Sequence, residues 1–121
     1  MTLWLAIALG SAVGGVARFW LGATIDARHG GALPLGTLVV NITGAALIGV
    51  LAALPLGAVA YAGLVTGLLG SYTTVSSFSL QVLQLLQHGR ARTALALVTL
   101  SMVSCLAAAL SGLALGTWVF R

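Results

Sequence analysis

The residues with chemistry to offer are few, and most are neutral. Asn41 sits in Gly36-Thr37-Leu38-Val39-Val40-Asn41-Ile42-Thr43-Gly44, a stretch otherwise apolar or small. Its amide offers two donors and one acceptor. In a membrane such a group either bonds a neighbouring helix or donates to a dehydrated anion. Thr37 lies one helical turn away on the same face and lengthens the polar stripe. A second set follows Gly67 and Gly70: Ser71, Tyr72, Thr73, Thr74, Val75, Ser76, Ser77, Phe78, Ser79. Exposed carbonyls there can hold a cation, hydroxyls can line an anion path, and a bent Ser/Thr-rich helix needs neither. Phe78 adds a ring whose edge is positive. Arg18 lies within an apolar stretch, where its guanidinium gives a vestibule positive potential or snorkels to the interface.

What is missing narrows the chemistry. Asp26 is the single carboxylate, at a helix end, so a proton-coupled carrier lacks its intramembrane acid. His29 and His88 fall in loops, which leaves a histidine relay through the membrane unsupported. There is no nucleophile–base pair, metal-ligand spacing or phosphate loop, and no enzyme is expected. Cys105 is the one cysteine and reads as a small packing residue.

The elements that must position these residues follow from composition. The 121 residues are 60% hydrophobic and 5% charged, with five Arg, no Lys and no Glu. Mean hydropathy is +1.17. A soluble domain carries roughly 25% charged residues, so the solvent is lipid. The net charge of +4 then reads as interfacial anchoring rather than nucleic-acid binding. Four spans use the whole chain as one domain, 1–121. The first runs from Leu3 to about Ile25 and is expected to be a retained helix, not a signal peptide. Asp26 to Gly31 is a polar, flexible loop. Pro34 suits the first turn of a second span that ends near Ala53. Pro55 and Gly57 mark a tight connection. The third apolar run covers Ala58 to Gln87, and His88 to Arg92 form a loop. The fourth covers Thr93 to Val119, and Arg121 closes the chain.

Glycine and hydroxyl side chains weaken the third run, which predicts a helix break near Gly70 to Val75. In lipid a break persists only where protein or a cavity satisfies the freed groups, as at transporter binding sites. The pairs Gly10/Gly14 and Gly63/Gly67 have the spacing of close helix packing.

Three stretches together resemble the signature segments of the Fluc/CrcB fluoride channels: Gly14 to Arg18, Gly36 to Gly44, and Gly67 to Ser79. Order, spacing and length match over essentially the whole chain. The resemblance implies an all-α membrane protein of four transmembrane helices, the third broken mid-membrane, paired as an antiparallel dual-topology dimer with two pores. It implies passive fluoride export that limits toxicity, from a multi-pass protein of the inner or plasma membrane. A structural sodium ion would sit at the dimer centre on backbone carbonyls that map to Gly70 and Thr73. Asn41 matches the pore-lining amide, and Arg18 the first-helix arginine. Ser76, Ser77 and Phe78 match the aromatic and hydroxyl pathway.

There are departures. Val75 stands where the family usually has a first phenylalanine. The fourth-helix polar track reads Leu97, Ser101, Cys105, with a hydroxyl kept only at Ser101. Gln81 stands where a Glu is often seen.

Fluoride is strongly hydrated, so Asn41, Ser76, Ser77 and Ser101 are expected to replace water donors, with Phe78 giving a ring edge. Loops 26–33 and 88–92 share one side and carry three Arg, with Arg18 near that side. Arg121 and the terminal amine are opposite. The partner expected first is a second copy in the opposite orientation, and after it a related subunit. Two other functions compete. A multidrug or guanidinium exporter would need an embedded Glu. A non-transporting assembly subunit would explain the glycines but not Asn41 together with the hydroxyl cluster.

Overall fold

A computed structural model describes residues 1–30 and 33–120. Gly31 of the first loop and the closing Arg121 lie outside the described residues. Helix α1 covers Thr2–His29, α2 Leu35–Ala52 and α6 Ala91–Val119. The segment between them, Ala58–Gln87, contains α3 (Ala58–Tyr61), a π-helical stretch (Ala62–Leu69), α4 (Gly70–Tyr72) and α5 (Ser76–Gln87). Four helical segments are long and apolar enough to cross a bilayer, so the chain is a multi-pass membrane protein.

Several boundaries differ from those expected. Asp26 to His29 are not loop but the last turn of α1. Gly30 ends that helix in the left-handed region at φ 33°, and its N–H donates to the Asp26 carbonyl at 3.1 Å. Arg28 and His29 complement the negative end of the helix there. Pro34 precedes α2 as its N-cap rather than opening its first turn. Ala91 and Arg92, expected in a loop, begin α6. The longer α1 also changes the setting of Arg18. It lies eleven residues before His29, about 16 Å from that end at helical rise, so it is deep in the span.

The π-helical stretch packs along α1, and closeness sets the geometry. A side chain at Gly14 would collide with the Leu68 carbonyl and the Ser71 hydroxyl. Ser71 Oγ donates to the Ser11 carbonyl at 2.9 Å, and Ser11 Oγ to the Gly67 carbonyl at 3.4 Å. On the other side α2 and α6 approach at Gly49 and Gly112, each set against the partner helix's backbone.

Buried Val40, Leu69 and Tyr72 form one core cluster, and Leu85, Ala94 and Leu97 a second. Large apolar side chains elsewhere face outward, among them Leu9, Val13 and Val16 on α1 and Met102, Leu106 and Leu110 on α6. In water that surface would aggregate; in lipid it is solvated. Trp4 and Trp118, 76% and 81% exposed, mark one membrane interface at the ends of α1 and α6.

Candidate functional site

The site forms where α2 faces the stretch between α4 and α5. Helical geometry lapses at Thr73, whose backbone is extended at φ −76° and ψ 157°. Lost helical bonds must be replaced in a medium without water, and Asn41 replaces two. Its Nδ2 donates to the Thr74 carbonyl at 2.9 Å, and its Oδ1 accepts the Thr74 N–H at 2.8 Å. One amide hydrogen remains beyond that pair.

Thr74 is the residue whose importance the sequence hid. Its side chain is nearly buried, at 7% exposure. Its Oγ1 accepts the Ser77 N–H at 3.2 Å, as a helix-capping hydroxyl does. The same hydroxyl lies 3.2 Å from Ser76 Oγ and 3.3 Å from Ser77 Oγ. A run of nine mostly hydroxylated residues gives no hint which one is the hub; proximity to Asn41 decides it.

These bonds bear on two neighbouring carbonyls. In an unbroken helix the Gly70 carbonyl accepts from Thr74 N–H and the Thr73 carbonyl from Ser77 N–H. Here the first N–H goes to Asn41 and the second to the Thr74 hydroxyl. Both carbonyls lose their α-helical donors, and both residues line an open groove of about 610 Å³. Asn41, Thr74, Val75, Phe78 and Ser101 line it too. Val75 is 77% exposed, while Ser101 is buried on α6 and Phe78 packs against the second core cluster. Oxygen donors with spare lone pairs suit a hard cation such as sodium. Among the described residues no cluster of three or more His, Cys, Asp or Glu competes for a metal.

On the other face of Thr74 lies a cavity of about 310 Å³. Arg18, Asp26, Thr37, Val40 and Ser77 line it with Thr74. Thr74 is therefore a wall shared by cavity and groove, and Ser77 reaches the cavity side. Thr37 Oγ1 accepts Gln81 Nε2 at 2.8 Å, while Gln81 Oε1 is buried without a partner. Gln81 and Asp26, neither taken as a site residue from the sequence, also line a third space of about 290 Å³ with His29 and Gln84. Arg18, Thr37 and Ser77 thus share the cavity, and Asn41, Phe78, Ser101, Val75, Gly70 and Thr73 the groove. Ser76 joins them only through its contact with Thr74.

Among the described residues, such an arrangement offers neutral donors in series, one guanidinium at one end, and no carboxylate lining the groove. The family model for CrcB-like protein, Camphor Resistance (CrcB), matches residues 5–113. The chain is 48% identical over 117 residues to a fluoride-specific ion channel FluC 2 of Rhodopseudomonas palustris, covering 91% of this chain and 89% of that one. It is 44% identical over 115 residues to a fluoride-specific ion channel FluC of Opitutus terrae, covering 89% and 87%. To the fluoride-specific ion channel FluC of Rhizobium meliloti it is 40% identical over 116 residues, covering 92% and 93%.

Proposed function

We propose, from the premise that this chain belongs to the CrcB-like protein family, that it is a fluoride-selective channel through which fluoride leaves the cell passively. The observation that carries the mechanism is Thr74, buried between a cavity holding Arg18 and a groove holding Asn41, Phe78 and Ser101.

Fluoride reaching the cavity meets the Arg18 guanidinium and the Thr37 and Ser77 hydroxyls. Hydroxyl donors at Thr74, Ser76 and Ser77 then replace its water. In the groove the spare Asn41 amide hydrogen, the Ser101 hydroxyl and the Phe78 ring edge take over. No full positive charge lies beside the ion in the groove, so binding stays weak enough for release. Once the groove is covered, a path narrowed to the size of fluoride would exclude the larger chloride.

The groove needs a cover, because amide and hydroxyl groups opening toward lipid are unfavourable. We assign that role to a second copy in the opposite membrane orientation, or to a related subunit, so that two pores form. The third segment acts as a broken helix, a reading supported by the extended backbone at Thr73. Carbonyls of Gly70 and Thr73 would hold a sodium ion where the two subunits meet, and the ion would supply the positive charge those oxygens lack. The setting we assign is the inner or plasma membrane.

Fluoride efflux from liposomes containing only this chain tests the reading. Rapid efflux with little chloride efflux is expected. Absent fluoride efflux, or chloride efflux at the same rate, overturns it.

A further inference from the structure

We propose that Asp26 is a specificity-determining residue of the Arg18 cavity, its carboxylate acting as a tethered anion that occupies the start of α2. The inference rests on the channel reading of that cavity.

Helix α2 is 18 residues long and has no side-chain cap of its own, because its N-cap residue is Pro34. The free N–H groups at such a terminus attract anions. Asp26, on α1, fills the position instead: its Oδ1 accepts the Gly36 N–H at 2.7 Å. Gly36 is what lets the carboxylate in. A Cβ there would lie 2.8 Å from Asp26 Oδ2 and would collide with the Gly22 carbonyl oxygen.

The same carboxylate lines the cavity with Arg18, Thr37 and Ser77. A carboxylate beside an anion path ordinarily repels the ion. Here its charge is directed at the positive end of α2. Among the described residues Arg18 is then the only cationic side chain lining the cavity, and the positive end of α2 is already neutralised. Without the charge of Asp26, Arg18 and the uncompensated positive end of α2 would form a two-point trap. Weakly hydrated anions would be held longest, since they give up water most readily. Asp26 thus keeps the cavity attractive enough to gather fluoride and too weak to retain competitors.

The test is Asp26→Asn, whose side-chain oxygen still accepts the Gly36 N–H while the charge is gone. Bromide is the probe. In fluoride efflux from liposomes, the variant is expected to be half-inhibited at about two- to fivefold lower bromide than the unaltered chain, the effect of one charge at a helix terminus. Equal or weaker inhibition overturns the proposal. A second measurement does not depend on conduction: bromide should raise the melting temperature of the purified variant more than that of the unaltered protein. An equal or smaller rise overturns the role of Asp26. If the unaltered chain releases no fluoride, the channel reading fails alone, and the bromide comparison still decides Asp26.

Discussion

The side-chain amide of Asn41 pairs with both backbone groups of Thr74, at 2.9 and 2.8 Å. An amide is the one neutral side chain that matches a peptide unit donor for acceptor. By making this match across 33 residues of sequence, α2 satisfies the extended backbone that the third segment cannot satisfy for itself.

Asn41→Ala leaves two polar groups unmet in a medium without water. The expected loss of stability is about 2–4 kcal/mol, with fluoride efflux abolished. Asn41→Asp accepts the Thr74 N–H but has no hydrogen for the carbonyl, and it puts a negative charge in the groove. It should be no more stable than the alanine variant and should also lose efflux. Denaturation in detergent and a fluoride electrode separate the two effects.

Thr74→Val keeps the shape and deletes the hydroxyl that Ser77 N–H uses. The capping loss is about 1 kcal/mol, and efflux should fall by more than that loss of stability accounts for. Thr74→Ser should behave nearly as the unaltered chain. Equal efflux from the valine and serine variants would remove Thr74 from the pathway.

Phe78→Ile removes a ring edge from the groove while keeping an apolar volume, so efflux should drop at least tenfold, roughly the loss of one anion contact, with the oligomer intact on size exclusion. Val75→Phe adds a ring at a lining position that is 77% exposed. Faster efflux is expected. A slower rate would mean that the ring obstructs the path.

Replacing sodium by a large organic cation should weaken subunit association and lower efflux together, because the Gly70 and Thr73 carbonyls would again lack partners. Unchanged association and flux in sodium-free buffer would exclude the ion.

On the opposite face, Ser71→Ala and Ser11→Ala each delete one interhelical bond. Each should cost about 0.6 kcal/mol, and the two should add. Gly14→Val forces α1 off the Leu68 backbone and should cost about 3 kcal/mol or more. Unfolding titrations of the three variants check the order.

The four spans were legible in the sequence because lipid imposes one solution on long apolar runs. Asn41 stood out for the same reason: an amide among valines and isoleucines must have a partner. The residues that stayed hidden act through tertiary approach. Thr74 looks like its hydroxyl neighbours until Asn41 selects it. Asp26 looked like a loop carboxylate because helix propensity does not show that α1 continues to His29. The π-helical stretch Ala62–Leu69 has no sequence mark beyond its glycines, and contact with α1 holds it.

The Asn41–Thr74 pairing also sets an order of assembly during synthesis. Asn41 enters the bilayer with α2, ahead of the segment it will serve. A chain that stops before Gln87 but after Thr74 already has both partners; a third segment made without α2 has none. Its bare peptide groups would then oppose its burial in lipid. Loss of the amide is therefore expected to lower the amount of protein recovered from the membrane as well as its efflux.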